Sequence, residues 1–463
     1  MIFKGNRDTW IAVFSTLFIL CIFQIGICVT VPGIVLNKTE QTSSLSQLLN
    51  LLGGGGLRKV SLFTTGISPY ITAQIIIQML SNDVIKHLSE LRKSGERGRI
   101  KMELYTRLLT FPFAIMTSLG TISLVSGSGI ITFKTFSGEI KNTFSALPLG
   151  ERTLLILMFI AGTYISLFLA DIISKKGLGN GITILIMSGI VASLPENFIS
   201  TYNYLASDKT VNPEHQQFIA IFKFIIYLFF YFLILLLIVF INGSVRKIPL
   251  QQTGQGLITD RKKISYLPIK LMPAGIIPVI FAGSIMVFPS AIGELLKNKN
   301  PAISPFVHEY LSLNSGVGLT IYSFLIIAFS FLYSHIQINV EELARGFGKM
   351  GRFIPGVRSG QSTYNYLKSV INRINCFGAP FLAIVAVFPS FLNMTAGLPN
   401  SMSLGGTGII ILVSGAIQIM ESIKSNSIAS KYKSKNILLD SQIKQNTLSE
   451  SSSDNNAKSF YLW

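Results

Sequence analysis

The amino-acid sequence predicts an all-α polytopic membrane protein with ten transmembrane helices, and three observations lead to this fold class. The first is composition, because 49% of the 463 residues are hydrophobic and only 13% are charged, about half the charged fraction of soluble domains. The second is the length of apolar runs such as 10–31 and 217–241, which carry at most one charge each and exceed the roughly 20 residues that span a bilayer. The third is that basic loops separate these runs.

Ten predicted spans follow one another along the chain. They cover residues 10–31, 66–81, 108–126, 153–173, 181–199, 217–241, 272–292, 316–338, 374–392 and 405–423. An even number of spans places both termini on one side, and most of the 39 Lys and Arg residues lie in loops on that side. The positive-inside rule therefore predicts cytoplasmic termini. The first span is too long for a signal-peptide core and is predicted to be retained.

The sequence indicates no metal, nucleotide or other cofactor. The three cysteines, Cys21, Cys28 and Cys376, lack metal-site or disulfide spacing, and the four histidines are scattered. They are expected to bind no metal, and the cysteines are expected to pack as small apolar residues. The run GFGKMG at 346–351 matches a dinucleotide fingerprint only formally, because no strand precedes it. We predict a flexible loop there. The run GGGG at 53–56 lacks the Lys-Ser/Thr of a phosphate loop.

Charges within the spans bear on transport coupling. Pumps and coupled transporters carry ionisable residues inside the membrane. Here Asp171 lies at the predicted cytoplasmic end of a span, beside Lys175 and Lys176 in sequence. A substrate-coupled secondary transporter therefore stays an alternative, although the sequence indicates no buried ionisable or ion-coordinating site for it. A membrane-embedded enzyme would need a catalytic dyad or metal motif, and the sequence indicates none.

Three long basic loops, residues 82–107, 242–271 and 339–373, lie on the predicted cytoplasmic side. The second contains VRKIPLQQ and DRKKISYLPIK, two short segments that are predicted to pair as a hairpin. Such loops favour a docking surface for a large acidic or RNA-containing partner. The alternative is a solvated surface that faces lipid headgroups. After about residue 425 the chain becomes polar and rich in Ser and Asn, which is typical of a disordered tail.

Residues 66–80, GISPYITAQIIIQML, are apolar but too short for a complete span. Ile67, Ile71 and Ile75 form one stripe at i, i+4 and i+8, and Ile182 and Ile186 repeat that spacing. Ordinary core or lipid-facing packing is the alternative for such a stripe. The preceding stretch, 44–63, is too polar to cross. Because non-helical backbone at membrane depth is tolerated only beside a cavity, a water-filled funnel is predicted.

Seven runs of this chain carry a resemblance that covers about residues 10–435. They are VTVPGI (29–34), SLFTTGISPYITAQIIIQML (61–80), ELRKSGERGRIKMELYTR (90–107), GLGNGITILIMSGIVASLP (177–195), YLPIKLMPAGIIPVIFAGSIMVFP (266–289), FIPGVRSGQST (353–363) and GGTGIIIL (405–412). In these runs the chain resembles the SecY family, the central subunits of the bacterial protein-conducting channel. The resemblance implies a channel for unfolded polypeptides in the cell membrane.

The resemblance also implies an architecture and a pore. Two pseudo-symmetric five-helix halves, residues 1–199 and 200–423, would surround an hourglass pore, with residues 424–463 as a tail. Residues near 45–64 would form a plug. The family's constriction ring falls on six isoleucines, Ile67, Ile71, Ile182, Ile186, Ile280 and Ile411. Stiff branched side chains can grip a passing chain, and a dry constriction resists leak.

The family's lateral gate lies between the second and third spans on one side and the seventh and eighth on the other. Thr72, Gln78 and Phe288 fall on its facing helices. In the family, signal sequences intercalate there and apolar helices leave into membrane lipids. Partitioning then decides the route, because each charge at the middle of a helix costs roughly 2.5–3.5 kcal/mol on insertion scales.

The resemblance implies partners on the cytoplasmic face. Arg358 matches a functionally critical arginine of the last large loop, and Arg261, Lys262 and Lys263 lie near the tip of the other. These loops would dock the ribosome or the motor ATPase SecA, beside small membrane subunits that resemble SecE and SecG. Signal sequences and unfolded preproteins would be the substrates. The channel itself would have no catalytic residue and no cofactor, so these partners would supply the energy.

Four departures from the family pattern concern the docking face and the start of the seventh span. Only about ten residues precede the first span, where the family usually has a longer amphipathic segment, and the run PLQQTGQGLITDRKK lacks the basic cluster that usually follows the VRKIP-like strand. Met272-Pro273 stands where the family commonly has Asn followed by an apolar residue. Ser359 replaces the Pro that usually follows the arginine. The six isoleucines are unaffected. The sequence leaves open whether the chain is a housekeeping channel or an accessory one for selected exported proteins.

Overall fold

The structure is a computed structural model in which twelve α-helices and six short strands are described. It describes residues 7–36, 60–81, 85–127, 131–135, 140–141, 144–206, 216–253, 265–296, 310, 315–396 and 406–428. In chain order the helices are α1 Arg7–Cys28, α2 Ser68–Leu80, α3 Lys86–Lys93, α4 Glu96–Gly127, α5 Leu149–Lys176, α6 Gly181–Ala206, α7 Gln216–Gly243, α8 Ile277–Leu296, α9 Gly316–Gln337, α10 Val340–Lys349, α11 Gln361–Ala396 and α12 Gly406–Ile428.

The ten predicted spans are confirmed, because all helices except α3 and α10 coincide with them. Within the described part of the chain, seven helices are individually long and apolar enough to cross a membrane. The helix α2 is not among them, since its 13 residues extend for only about 20 Å. Helix α11 is longer than predicted: it begins at Gln361 and runs for 36 residues, so its first turns extend beyond the predicted span into the basic loop.

The predicted hairpin in the second basic loop is confirmed. Strand β4, Val245–Gln252, pairs antiparallel with β5, Ser265–Lys270, from Val245 opposite Lys270 to Leu250 opposite Ser265. A third strand, β6 (Arg352–Phe353), pairs with the end of β4. Strands from two different loops therefore share one sheet.

The prediction of a flexible loop at 346–351 is wrong. Residues 346–349 form the last turn of α10, and Gly351 follows with a positive φ of 62°. Asn339 caps the start of this helix by accepting a hydrogen bond from the N–H of Glu342 at 3.2 Å. The helix forms because Val340, Ala344 and Phe347 lie on one buried face, a pattern that the glycines obscure in the sequence.

The described parts of the second and third basic loops pack into one unit with its own hydrophobic cluster. This cluster joins the β4–β5 hairpin, α10 and the first turns of α11 through Ile248, Leu250, Ile269, Val340, Phe347, Ile354, Leu367, Val370, Ile371 and Ile374. Because hydrophobic burial holds these segments together, the unit presents a defined surface at the basic end of the helices.

A second small sheet lies at the other end of the helices and was not predicted. It pairs β1 (Ile34–Leu36), β2 (Ile131–Lys134) and β3 (Ile140–Lys141) in the order β1-β2-β3. Its buried members, Ile131 and Phe133, pack in a cluster with Ile122 and Val125 of α4 and Phe159 of α5. These strands are two to four residues long, too short for alternating hydrophobicity to reveal them.

Helices from both halves of the chain meet in one central hydrophobic cluster. In the first half, α1 packs against α5 and α6. In the second half, α9 packs against α8 and α11. The halves meet where α2 and α4 pack against α8. This ten-helix, two-half arrangement is the predicted architecture.

Candidate functional site

The six isoleucines come from four separate helical segments and all lie in or against the central hydrophobic cluster; these six are called the isoleucine cluster below. Ile67 immediately precedes α2 and Ile71 lies within it, while Ile182 and Ile186 lie in α6, Ile280 in α8 and Ile411 in α12. All except Ile182 are buried, and Ile182 is half-buried against the same cluster. Residues up to 344 positions apart in sequence are thus brought together. That this cluster forms the constriction of a pore stays a prediction.

The start of α2 is fixed inside the protein by a short buried segment, residues 60–67. The N–H of Val31 donates to the carbonyl of Val60 at 3.2 Å, and that of Leu62 donates to Val29 at 3.4 Å. This two-stranded link ties the segment to the end of α1. Gly66, with φ of 48°, then turns the chain into α2, and Pro69 occupies its first turn, where proline is favoured.

The predicted plug, residues 45–64, falls largely outside the described residues. Its last residues are described: Val60, Ser61, Phe63 and Thr64 are buried. Phe63 stacks on Phe23 of α1 with ring centroids 5.2 Å apart. The end of the predicted plug is therefore a packed connection that anchors α2.

A tight corner between α5 and α6 positions Ile182 and Ile186. The N–H of Gly181 donates to Oγ of Ser174 at 2.9 Å, and the N–H of Ile182 donates to Oδ1 of Asn180 at 3.1 Å. These bonds satisfy N–H groups that the start of a helix leaves unpaired. A Cβ on Gly181 would lie 1.9 Å from the carbonyl oxygen of Ala170, so only glycine permits this approach.

The helices of the predicted lateral gate are in contact, because α2 and α4 pack against α8. Thr72 is buried there, and its hydroxyl donates to the carbonyl of Ser68 at 3.1 Å. Gln78 is half-buried. Phe288 belongs to α8, but its side chain lies outside the described part of the structure. The positions of Thr72 and Gln78 agree with a gate, whereas their role stays a prediction.

A cavity of about 1020 Å³ lies between the gate helices and α5. Its wall includes Gln74 and Gln78 of α2, Glu103 of α4, Asp171 of α5 and Gln337 of α9. Ile182 also borders it, so the cavity extends to the isoleucine cluster. A cavity of this size with polar groups on its wall can hold water. Its wall includes residues of the basic end of the helices and none of the described residues 60–64, so the funnel beside 44–63 stays a prediction.

Two carboxylates on the cavity wall, Glu103 and Asp171, share an arginine, a network that the sequence did not reveal. Arg107 donates from Nη2 to Oε1 of Glu103 and to Oδ2 of Asp171, each at 2.6 Å. Burial lowers the pKa of the Arg107 guanidinium, but the hydrogen bonds and charges of Glu103 and Asp171 raise it above its ordinary value. The structure therefore pairs Asp171 with an arginine 64 positions earlier, in addition to its lysine neighbours in sequence.

Comparisons with known proteins identify the family. The SecY family model matches residues 61–420. Protein translocase subunit SecY of Mycoplasmoides gallisepticum is 45% identical over 434 residues, which cover 92% of this chain and 84% of that protein. The corresponding subunit of Halalkalibacterium halodurans is 34% identical over 91% of this chain and 95% of its own. The chain belongs to the SecY family.

Solved structures share the SecY fold of this chain. "The structure of a protein conducting channel" matches with a TM-score of 0.63 at 19% identity and covers 92% of this chain and 94% of that one. A second, "Sec61 in the Canine ribosome-channel complex from the endoplasmic reticulum", matches with a TM-score of 0.62 at 18% identity and the same coverage. This fold and these relatives give no support to the alternative of a coupled secondary transporter.

The residues predicted to dock partners on the cytoplasmic face are only partly described. Arg358 is exposed in the loop before α11, and its carbonyl accepts a hydrogen bond from the hydroxyl of Thr363 at 2.9 Å. Arg261, Lys262 and Lys263 lie outside the described residues, between β4 and β5. Arg246, Lys247 and Arg352 are exposed on the sheet itself. The sequence analysis did not single out these three, although VRKIP contains two of them.

Proposed function

We propose that this SecY-family chain forms the channel through which unfolded, signal-sequence-bearing polypeptides cross the cell membrane. Hydrophobic segments would leave it sideways into lipid. The proposal is supported by the shared placement of six isoleucines from four segments in or against the central hydrophobic cluster, namely Ile67, Ile71, Ile182, Ile186, Ile280 and Ile411. The isoleucine cluster lies beside the gate helices and borders a polar cavity.

The mechanism follows from the properties of these surfaces. A polypeptide enters the polar cavity, where its backbone stays hydrated. It then meets the isoleucine cluster, whose stiff apolar side chains close around it without offering hydrogen bonds. Water and ions are excluded because a narrow apolar constriction dewets. A sufficiently apolar segment partitions between α2 and α4 on one side and α8 and α9 on the other, whereas a charged segment continues through the pore.

The basic loops are proposed to dock the machinery that supplies energy. Arg358, Arg246, Lys247 and Arg352 are exposed on a unit that has its own hydrophobic cluster. Such a rigid cationic surface suits an acidic motor or ribosomal RNA, and the fold neighbour Sec61 is described in a ribosome-channel complex. We therefore propose SecA and the ribosome as partners, with SecE-like and SecG-like subunits beside the helices. The termini and these loops would face the cytoplasm.

Reconstitution tests this function. The chain is purified from detergent with its bound subunits, which are identified by mass spectrometry, and is incorporated into vesicles. SecA, ATP and a preprotein are added, and protease-protected preprotein is measured. We expect protection that requires ATP and the signal sequence. Protection that is equal without the signal sequence, or absent although all subunits are bound, would contradict the proposal.

We further propose that the chain is the housekeeping channel, not an accessory one. Relatives at 45% and 44% identity over 92% of this chain are named protein translocase subunit SecY without a number, which supports this choice. The departures at Met272-Pro273, at the start of the seventh span, and at Ser359, on the docking face, would then be drift. Depletion in the source organism distinguishes the two. General arrest of secretion and death is expected, whereas viability with loss of a few surface proteins would identify an accessory channel.

A further inference from the structure

A hydrogen bond from Arg92 joins the two halves of the channel. Nη2 of Arg92 donates to the main-chain carbonyl of Ile336 at 3.2 Å. Arg92 lies in α3, between the second and third spans, and Ile336 lies in the last turn of α9, the eighth span. Both residues border the cavity. The bond therefore connects the two sides of the gate where the cavity lies between them.

The acceptor is a carbonyl that its own helix cannot satisfy. Helix α9 ends at Gln337, so Ile336 contributes one of the last four carbonyls, which have no intrahelical donor. The C-terminal end of a helix also carries partial negative charge, which favours a cation there. A guanidinium is well suited to this position because it presents several donors on a fixed plane.

The donor is held by a rigid corner between α3 and α4. Gly95 has a positive φ of 71° at this corner. A Cβ on Gly98 would lie 1.7 Å from the carbonyl oxygen of Leu91, so the two helices approach as closely as glycine allows. Helix α4 in turn packs against α8. Arg92 is thus fixed to one side of the gate while its acceptor belongs to the other.

We propose that Arg92 is a positioning residue that latches α9 to the α3–α4 corner and so favours the closed gate. The inference rests on the proposed channel function. Separation of α8 and α9 from α2 and α4 must stretch a bond that is already 3.2 Å long. Opening of the gate then requires the loss of this bond, and the binding of a signal sequence must compensate for the free energy lost with it. Arg92 accordingly raises the hydrophobicity that a signal sequence needs in order to open the gate.

Gate geometry tests the latch without any substrate. Cys21, Cys28 and Cys376 are replaced by Ser, and spin labels are attached to cysteines that replace Leu104 of α4 and Leu332 of α9, both exposed. Pulsed electron paramagnetic resonance then gives the distance distribution in the purified channel complex. Arg92→Gln should raise the ratio of long to short distances roughly three- to tenfold, as expected for the net contribution of one typical hydrogen bond. Arg92→Lys, which keeps one donor, should restore part of the short-distance population.

Arg99→Gln is the matched control. Arg99 is exposed on α4 and borders the same cavity, so its loss removes the same charge from the wall but leaves the bond to Ile336. This variant should keep the original distribution. If Arg92→Gln does not give monodisperse protein, Arg92→Met, which has no donor but a similar stem, takes its place. Distributions that are equal for the Arg92 and Arg99 variants would overturn the latch.

A translocation assay separates this inference from the proposed function. With Arg92→Gln, a preprotein whose signal sequence has lost one or two leucines should be protected more efficiently than with the parent chain. If the parent chain translocates nothing while the distances change as expected, the proposed function fails and the latch stands. If translocation is normal but the distances do not change, the latch fails and the function stands.

Discussion

Gly162 of α5 lies directly against the backbone of Leu62, so that a Cβ on Gly162 would be 1.9 Å from the Leu62 carbonyl oxygen. At the next residue of α5, the hydroxyls of Thr163 and Thr65 are hydrogen-bonded at 2.9 Å. The segment that precedes α2 is therefore held against α5 by a close contact between the two backbones and by a buried hydrogen-bonded pair. This contact, called the α2–α5 contact below, fixes the position of Ile67 and Ile71.

Gly162→Ala should consequently destabilise the channel by about 1–3 kcal/mol, because an added methyl group forces backbone to shift in a packed interior. The midpoint temperature of thermal unfolding in detergent measures this effect. Gly150→Ala is the matched control, since it lies in the same helix and a Cβ there would meet no atom within 4 Å. Alanine should be neutral or slightly stabilising at that position. Equal unfolding midpoint temperatures for the two variants would contradict a stabilising role of the α2–α5 contact.

The isoleucine cluster is predicted to seal the resting pore. Ile186→Gly combined with Ile411→Gly removes two side chains that are 2% and 1% exposed. Each substitution should lower the free energy of unfolding by at least as much as an Ile→Ala change, about 2–5 kcal/mol. The space left by the two side chains should open a path for water. Ion leak from reconstituted vesicles should rise. Ile25→Gly with Ile384→Gly, at positions 67% and 65% exposed, should leave leak unchanged. A rise with the control pair would indicate general disruption of the helices.

The plug prediction can be tested by a deletion that spares the packed connection. Removal of residues 45–56 should leave a monodisperse protein, relax the requirement for a strong signal sequence and increase ion leak. Removal of residues 61–65 should instead abolish assembled protein, because Ser61, Phe63, Thr64 and Thr65 are buried and tie α2 to α1 and α5. Protein yield, leak and translocation are measured for both. Loss of assembled protein with the first deletion would count against the plug.

Arg358 is predicted to act in motor docking. Arg358→Glu reverses an exposed charge and should reduce SecA-driven export by several-fold, since it places repulsion against an acidic partner. Membrane insertion of hydrophobic segments should be affected less. Lys134→Glu reverses an exposed charge on β2, at the other end of the helices, and serves as the control. Equal loss of export and insertion, with less protein in the membrane, would show that Arg358 is structural instead.

The sequence by itself determined the ten helices and the β4–β5 hairpin. These features are encoded locally, because apolar run length and residue spacing are sufficient to predict a span or a hairpin. The six isoleucines of the predicted ring are implied by the resemblance to the SecY family, and not by their spacing. Elements that are short, or whose apolar residues are interrupted by glycine, could not be predicted from the sequence. The last turn of helix α10 escapes prediction because two glycines obscure its buried face, and the small sheet β1-β2-β3 has strands too short for a detectable period.

Only the tertiary structure decided how these elements contact one another. The pairing of Arg107 with Asp171, and of Arg92 with the carbonyl of Ile336 244 positions away, depends on helix placement. A main-chain carbonyl is present at every residue, so no pattern in the sequence marks the one that accepts a bond. The α2–α5 contact at Gly162 could not be predicted from the sequence either. A close approach of two backbones is set by the packing of whole helices and not by the residue types alone.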